Sequence, residues 1–426
     1  MVFTSGNDAI YPTFYFPSNK KDHIMVFGVL AECPNLKELN MSKRVAVMTG
    51  GGEVPGLNMC LKSLVYRLID LGFEPIGVRK GWEGFINYNP HDPTTYSENF
   101  MELTKNMVRP IDRNPGSYLH SSRLDPRGIT QEAFPAFLRL KGKHPPGLID
   151  HMVEVFKRLD FHGLIVIGDD ETLQFAAHFS AQGIPIIAIP KTIHNNIHGT
   201  DYTLGFSTGL ARGVSFIHEL RALAGSREQI IVVETFAAKS GYSTLLMGIL
   251  SGADRVLIPE VPYNPERLAS LTLQDKHETP VNYAVVLVCD GTQLEPDQAE
   301  RYTQLAASDG KERMISSGMI AARLLSHITG EEVVLQPLTY LLRTGAPDGQ
   351  DLLGGVNFAF LAVHLLSEGK FGRMTAFVKD KMWTDVDLNL AIEGTRVVDV
   401  KSMYDAELYK PELSLIWSLE HRYHSP

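Results

Sequence analysis

The sequence predicts an α/β protein built around mainly parallel, doubly wound sheets, and three observations support this. Short runs rich in valine and isoleucine recur along the chain, with helical stretches between most of them. A glycine-rich turn joins the first run to an amphipathic helix. Polar loops directly follow the first three runs, which is where doubly wound sheets bind ligands. We therefore expect a binding cleft at the carboxyl edge of a parallel sheet.

The strand candidates are nearly continuous apolar runs, which is the pattern of parallel strands covered on both faces. They occupy residues 44–48, 164–167, 186–189, 230–233 and 285–288. After the first run and its glycines, leucines recur at steps of four and three, at positions 57, 61, 64, 68 and 71. This spacing places them on one face of a helix that begins near Gly56.

The composition indicates a globular chain with a large core. Of its 426 residues, 44% are hydrophobic and 21% are charged, which is enough for two or three lobes. The net charge of -9 argues against nucleic acid and anionic membranes as partners. Three scattered cysteines are too few for a disulfide framework, which fits a reducing cytoplasm. Any phosphate ligand would have to be bound by a local cluster of cations.

Residues 1–42 form an N-terminal extension rich in aromatic residues and proline. The extension lacks the basic start, apolar core and cleavage site of a signal peptide. We also expect no apolar run of the length that crosses a bilayer. These features predict a cytoplasmic protein.

The glycine-rich turn at residues 49–56, TGGGEVPG, has two interpretations. Glycines let backbone N–H groups approach a phosphate closely, and the following helix adds the positive end of its dipole. The same residues also suit a plain tight turn. The turn is not a Walker A motif, because no Gly-Lys-Ser/Thr ends it.

Asp169, Asp170 and Glu171 put three acids on the turn after the second strand candidate. Carboxylates in this place could hold Mg²⁺ beside a phosphate chain. They could equally cap the helix that follows, because acids suit its N-terminus.

Two residues after the third strand candidate have chemistry that suits phosphoryl transfer. Lys191 could neutralise a phosphate, or it could be a solvated surface lysine. His194 could act as a general base, or it could be structural. His198, four residues later, lies in a loop context that argues against a helical two-histidine metal site.

Taken together and in order, these loops resemble the phosphofructokinase A family, whose members use ATP or pyrophosphate. The resemblance covers about residues 43 to 400. It rests on TGGGEVPGLN (49–58), GVRKGWEGF (77–85), GSYLHSSR (116–123), IGDDETL (167–173), PKTIHNNIHGTDYTLGFSTG (190–209), VVETFAAKSGY (232–242), SGADRVLIPE (251–260) and TYLLRTGAPDGQD (339–351).

The resemblance implies a fold, a division into lobes and an assembly. The phosphofructokinase fold has two Rossmann-like lobes with mainly parallel sheets, here preceded by the N-terminal extension. It would place the donor-phosphate lobe at residues 43–205 and 342–392, and the acceptor lobe at 206–341 and 393–426. It also implies a homodimer or homotetramer.

The resemblance further implies a donor site in which Asp170 holds Mg²⁺. The donor-phosphate residues would be Gly51, Gly52, Arg123, Gly168, Asp169, Asp170, Glu171 and Thr172. ATP-using members usually have glycine where Glu171 stands, whereas pyrophosphate-using members resemble this chain in having an acid there and a lysine at the Lys191 position. A carboxylate repels the α-phosphate of ATP, so pyrophosphate is the expected donor and ATP the alternative.

The acceptor side departs from the family pattern. The family's Thr-Ile-Asp-Asn-Asp is Thr192-Ile193-His194-Asn195-Asn196 here, so the catalytic assignment falls on His194, Lys191 and Asn196. Its Met-Gly-Arg is Phe236-Ala237-Ala238, and loss of the arginine would cost on the order of 10³-fold in rate.

The remaining acceptor positions are mixed. The acceptor-binding residues would be Thr192, Phe236, Ala238, Asp290, Tyr340 and Arg343. Gln229 and Val334 stand where the family has arginines, and Arg227, Lys239 and Arg255 are candidate substitutes.

Three functions remain open from the sequence. The first is a phosphotransferase that uses pyrophosphate, or ATP, with Mg²⁺ to phosphorylate a small hydroxylated, sugar-like acceptor other than fructose 6-phosphate. The second is a catalytically deficient regulatory homologue that binds phosphate or a nucleotide. The third is an ordinary 6-phosphofructokinase.

Overall fold

A computed structural model describes residues 44–139, 147–237, 239–302 and 315–412, which all belong to one compact unit. Two sheets form its framework. The predicted N-terminal extension lies outside the described residues, as does Ala238. The division into two lobes at the predicted boundaries stays a prediction.

The first sheet has seven strands in the order β11-β10-β5-β4-β1-β2-β3. Its central strands are parallel, whereas β3 and β11 pair antiparallel at the two edges. The strands are β1 Arg44–Thr49, β2 Glu74–Val78, β3 Phe100–Glu102, β4 Phe161–Gly168, β5 Ile186–Pro190, β10 Arg373–Val378 and β11 Met382–Asp387.

The second sheet is parallel throughout, in the order β7-β8-β6-β9. Its strands are β6 Ile230–Thr235, β7 Arg255–Leu257, β8 Ala284–Cys289 and β9 Val333–Pro337. A short hairpin, β12 Tyr404–Asp405 and β13 Lys410–Pro411, lies beside β7. The Val256 amide donates to the Tyr409 carbonyl at 2.8 Å, and the Tyr404 hydroxyl donates to the Val256 carbonyl at 2.6 Å.

Eight helices of ten or more residues cover these sheets in the described part of the chain. They are α1 Leu57–Asp70, α2 Leu148–Arg158, α3 Asp170–Ser180, α4 Phe206–Arg227, α5 Tyr242–Ser251, α6 Pro265–Glu278, α7 Ser317–Thr329 and α8 Gly349–Ser367. Shorter helical segments are Trp82–Asn87, Pro93–Thr95, Tyr96–Asn99, Lys105–Val108, Pro126–Gly128, Gln131–Ala133, Ala136–Arg139, Pro296–Arg301, Thr339–Arg343, Leu388–Ala391 and Val400–Met403.

The strand and helix predictions are confirmed. Every one of the five apolar runs is a strand with a buried interior, and each strand extends one to three residues beyond the predicted run at one or both ends. In α1 the leucines at 57, 61, 64 and 68 are buried as predicted. The α/β class with mainly parallel sheets therefore follows directly from apolar periodicity.

Helix α8 is the one helix in the described ranges that is long and apolar enough to cross a membrane by length and composition. The sequence predicts no apolar run long enough to cross a bilayer, and α8 departs from that prediction. Half of the helix is buried, and it packs on α1 and on strands β5 and β10. That is the position of a core helix, so its apolar composition is weak evidence for a membrane span.

A fully buried carboxylate, Asp351 in α8, anchors the start of α4. It accepts hydrogen bonds from the Gly205 amide at 2.7 Å and from the Thr208 amide at 2.8 Å. The hydroxyls of Thr208 and Tyr202 donate to it as well. These donors include backbone amides at a helix N-terminus, which have no partner within the helix. Asp351 thereby fixes the segment that leads from β5 into α4.

We expect Asp351→Ala to lower the free energy of unfolding by about 4 kcal/mol, because it leaves several buried donors without an acceptor. Urea unfolding of the variant beside the parent protein measures this. Asp385→Ala is the control: Asp385 forms a partly exposed ion pair with Arg373 at 2.6 Å, whose loss should cost about 0–1 kcal/mol. Equal losses in the two variants would contradict the anchoring role.

Candidate active site

The glycine-rich turn after β1 is packed so closely that side chains would not fit. Gly51 has a φ of +77°, and a Cβ there would lie 1.8 Å from Oδ2 of Asp169. A Cβ on Gly52 would lie 1.5 Å from Nη1 of Arg343. Glycine is required at position 51 by its positive φ, whereas a side chain at position 52 would require the guanidinium of Arg343 to move.

Three successive amides of this turn already have acceptors within the protein. Gly50 donates to the Ile167 carbonyl at 3.0 Å, and Gly51 donates to the Ser122 carbonyl at 2.9 Å. Gly52 donates to Oδ2 of Asp169 at 3.1 Å. The turn therefore directs one amide toward an anion, and the anion is a side chain of the same molecule.

Asp169 is the N-cap of α3, so the capping interpretation of the acidic turn is confirmed for this residue. Its Oδ1 accepts from the Thr172 amide at 3.2 Å and from the Thr172 hydroxyl at 2.7 Å. Burial would raise the pKa of Asp169, but Lys191 and the hydrogen bonds from Thr172 and Gly52 outweigh burial and hold the pKa below its usual value. Gly168 is needed beside this cap, because a Cβ there would lie 2.6 Å from Thr172.

Asp170 and Glu171 begin α3 and line the cleft in front of it. Burial raises the pKa of Asp170, and the negative charge of Asp169 raises it further, although Lys239 opposes them. Lys239 also meets Glu171 in an exposed ion pair of 3.4 Å. This pair joins the loop after β6 to the start of α3, across the cleft between the two sheets.

Lys191 is fully buried, which excludes the interpretation as a solvated lysine. Its Nζ donates to the Gly52 carbonyl. Burial lowers the pKa of Lys191 to about 8, although Asp169 opposes the shift. An ammonium held in a dry site beside the glycine turn is strongly attracted to an anion.

Thr192, His194 and Asn196 lie in the buried loop after β5. The His194 amide donates to the Thr192 hydroxyl at 3.1 Å. Nε2 of His194 lies 3.4 Å from Nη2 of Arg343. Since a guanidinium only donates, Nε2 accepts and the imidazole proton lies on Nδ1. Nδ1 of His194 and Oδ1 of Asn196 are buried without a partner, so both are available to a ligand.

His194 is a weak base in the free protein. Burial lowers its pKa to about 3, and the neighbouring guanidinium of Arg343 adds to the shift. The imidazole is therefore neutral throughout the physiological range. A negative charge bound beside Arg343 would raise this pKa again.

Phe236, at the end of β6, is the centre of contacts that sequence reasoning did not foresee. Its ring lies 4.7 Å from Cζ of Arg343 and 5.9 Å from Cζ of Arg123. The Phe236 ring stacks on the imidazole of His194, with 6.1 Å between the ring centroids. Its centroid also lies 6.1 Å from that of the Tyr340 ring. The ring holds two guanidinium groups at the cleft through cation–π contacts. The sequence signal was an aromatic residue directly after a buried strand.

The other predicted acceptor residues are not equally close to this cleft. Arg343 is buried beside Gly52 and His194, and its Nε has no partner. Tyr340 is 67% exposed. Asp290 follows β8 and is not among the residues that line the cleft. Ala238 lies outside the described residues.

Of the three candidate substitute cations, Lys239 lines the cleft. Arg255 is buried elsewhere in an ion pair with Asp275 at 2.7 Å, and Arg227 is exposed at the end of α4. The cleft has a volume of about 140 Å³. The structure brings together in its lining Gly52, Val54, Arg123, Asp169, Asp170, Glu171, Lys191, Thr192, His194, Asn196, Phe236, Ala237, Lys239, Ser240 and Arg343.

Comparison with known proteins agrees with this arrangement. The phosphofructokinase family model matches residues 44–366. The chain belongs to the phosphofructokinase family. A pyrophosphate–fructose 6-phosphate 1-phosphotransferase of Dictyoglomus thermophilum is 35% identical over 84% of this chain and 96% of its own length. An ATP-dependent 6-phosphofructokinase of Streptococcus pyogenes is 28% identical over 83% of this chain and 90% of its own.

Solved structures support the phosphofructokinase fold. A pyrophosphate-dependent phosphofructokinase from Marinobacter aquaeolei superposes with a TM-score of 0.70, covering 89% of this chain and 91% of its own. At 16% identity this likeness concerns the fold alone. The prediction of the family is thus confirmed, while the roles of single site residues stay predictions.

Membership of the phosphofructokinase family implies a Mg²⁺ ion, and the charge of Asp170 in the cleft fits such an ion. Asp170 has a pKa raised by burial and by Asp169, so its negative charge is incompletely compensated and a cation would relieve it. In the described part of the chain no group of three or more acidic, histidine or cysteine side chains could hold a metal. Asp170 would therefore hold Mg²⁺ together with phosphate oxygens and water, which is how proteins commonly bind this ion.

Proposed function

We propose that this phosphofructokinase-family protein transfers a phosphoryl group from pyrophosphate to a hydroxyl of a sugar-like acceptor, with Mg²⁺. The supporting observation is that Arg123, Lys191 and Arg343 line one cleft together with the undercompensated carboxylate of Asp170. Enzymes of this chemistry act mainly by positioning the phosphates and by stabilising negative charge. The cleft supplies cations for the phosphates and a ligand for Mg²⁺.

Pyrophosphate is favoured over ATP by the mouth of the cleft. Glu171 lines the cleft beside Lys239, and the resemblance to the family places it at the α-phosphate of ATP. A like charge at this point repels the longer donor.

His194 is the proposed general base. Burial is the main cause of the low pKa of His194, and the guanidinium of Arg343 adds to it. When a bound donor draws Arg343 toward its phosphate, Nε2 loses its hydrogen-bond donor and this second cause. The acceptor hydroxyl then attacks the terminal phosphorus, its proton passes to Nε2, and the bond to the leaving phosphate breaks. Mg²⁺ bound at Asp170 would neutralise charge on the donor oxygens. The loss of positive charge near Nε2 makes His194 a stronger base only when the donor is present.

We further propose that the acceptor carries less negative charge than fructose 6-phosphate. Among the described cleft residues, Arg343 already lies on the donor side, against Gly52. Val334 and Gln229, at two positions where the resemblance implies arginines for the acceptor's phosphate, carry no positive charge. A neutral sugar, cyclitol or nucleoside needs fewer cations than a sugar phosphate.

A phosphoryl-transfer screen with pyrophosphate or ATP and Mg²⁺ tests the proposal. The acceptor panel contains fructose 6-phosphate, neutral sugars, cyclitols and nucleosides. We expect turnover with pyrophosphate and a neutral acceptor, and His194→Ala should lower kcat about 10²-fold, the usual contribution of a general base. His162→Ala is the control, because His162 lies at the opposite end of β4 from the cleft.

Each outcome of the screen has a meaning. Turnover of fructose 6-phosphate alone would contradict the acceptor proposal and leave the phosphotransferase in place. Full turnover by His194→Ala would exclude His194 as the base. Absence of pyrophosphate and ATP binding in isothermal titration would overturn the function itself.

A regulatory, anion-binding homologue is the second candidate. It is favoured by the low pKa of His194, which leaves the free cleft without a strong base. Binding of pyrophosphate without transfer to any acceptor in the panel would support this candidate.

A further inference from the structure

Asp169 occupies the place in the fold where an anion is bound most readily. Its carboxylate lies between the glycine-rich turn and the N-terminus of α3. Oδ2 accepts from the Gly52 amide at 3.1 Å, and Oδ1 accepts from the Thr172 amide at 3.2 Å. A glycine turn and a helix N-terminus are the two backbone features that normally bind phosphate. Here both donate to one side chain.

The packing leaves no room for a second anion at this point. The place of a Cβ on Gly51 is within 2.2 Å of both Asp169 carboxylate oxygens and of Cγ. The amides of Gly50 and Gly51 donate to the backbone carbonyls of Ile167 and Ser122. A phosphate oxygen could accept from Gly52 only after the carboxylate of Asp169 had moved away.

We propose that Asp169 is a specificity-determining residue that fills the anion position of the glycine-rich turn and keeps the donor phosphate out of it. The donor is then held by the side chains of Arg123, Lys191 and Arg343 rather than by backbone amides. This inference rests on the proposed function. Its physical basis is that the carboxylate competes for the Gly52 amide and repels the donor's negative charge.

Isothermal titration with pyrophosphate tests this proposal, using the full-length protein, Asp169→Asn and Asp169→Gly. Asparagine keeps an oxygen that can cap Thr172 but loses the negative charge, whereas glycine opens the turn completely. We expect both variants to bind pyrophosphate about tenfold more tightly, because a nearby like charge is removed. Because Asp169 raises the pKa of Lys191, that pKa falls in both variants, and the titrations are therefore made at pH 6.5. They are run with EDTA and again with Mg²⁺, which separates the effect of the metal.

Asp348→Asn is the matched control. Asp348 also caps a helix, accepting from the Asp351 amide at 2.8 Å at the start of α8, and it does not line the cleft. Its substitution should leave the dissociation constant unchanged. Thermal unfolding of every variant verifies that the fold is retained.

The outcomes distinguish this inference from the proposed function. Tighter binding in both Asp169 variants supports the proposal, and so does binding that appears only in the variants. If the parent protein binds pyrophosphate and both variants bind it equally or more weakly, Asp169 is not an obstacle and the inference fails alone. If none of the proteins binds pyrophosphate, both proposals fail.

Discussion

Lys191→Met is expected to reduce the rate of phosphoryl transfer from pyrophosphate about 10³-fold, because it removes a cation from a dry phosphate site. Nζ of Lys191 is fully buried and contacts the glycine-rich turn, so no water replaces its charge readily. Steady-state kinetics with varied pyrophosphate measures the loss. Titration calorimetry should show weakened donor binding in the same variant.

The control for this substitution is Lys276→Met. Lys276 is also buried, at 4% exposure, but it pairs with Glu331 at 3.1 Å and does not line the cleft. The control variant is expected to lose stability without losing donor affinity. Equal effects on donor binding in the two variants would contradict the role of Lys191.

The pH dependence of donor binding provides a further check on the same lysine. Burial lowers the pKa of Lys191 to about 8, so the ammonium form is present below that pH and is lost as the pH rises through it. Affinity for pyrophosphate should therefore fall above about pH 8. In Lys191→Met this fall should disappear, because no group at position 191 titrates.

Asp170→Asn is expected to reduce turnover by about 10³-fold and to abolish the effect of Mg²⁺ on donor binding. Asparagine has a similar shape but lacks the charge that a hard cation requires. Pyrophosphate titrations with and without Mg²⁺ measure this independently of turnover. In the parent protein Mg²⁺ should tighten binding, and in the variant the two titrations should coincide.

Asp254→Asn is a suitable control for the metal experiment. Asp254 is also an acid whose pKa is raised by burial, and it accepts from the Val285 amide at 2.7 Å, outside the cleft lining. Its variant should keep the response to Mg²⁺. A Mg²⁺ response that survives in Asp170→Asn would exclude Asp170 as the metal ligand.

The sequence predicts the framework of the fold well, because parallel strands buried on both faces have a simple apolar signature. Strands β1, β4, β5, β6 and β8 were all predicted this way. The other strands of the two sheets, β2, β3, β7, β9, β10 and β11, are not predicted. In the antiparallel edge strand β11 the residues are half-exposed and include Thr384 and two aspartates. Edge strands carry a weaker pattern because only part of their surface packs on the core.

The meeting of three loops at one cleft was also predictable, since strand ends determine where loops lie. The directions of side chains within the cleft were not. The guanidinium of Arg343 lies over the Phe236 ring and against the turn at Gly52, and its role in acceptor binding stays a prediction. The cap that Asp169 provides to α3 is one of the two interpretations that the sequence supports. Cation–π contacts depend on distances that sequence spacing does not encode.

The order of the strands along the sequence differs from their order in the first sheet, and this affects folding during synthesis. The first sheet places β10, from residue 373 onward, beside β5, and the backbone of the second sheet at Val256 bonds to Tyr409. Residues 373–378 emerge from the ribosome after all the other parallel strands of the first sheet, so β5 keeps one unpaired edge until they appear. Pairings this distant in sequence form slowly. The nascent chain therefore exposes unpaired strand edges during synthesis, when protection by chaperones matters most.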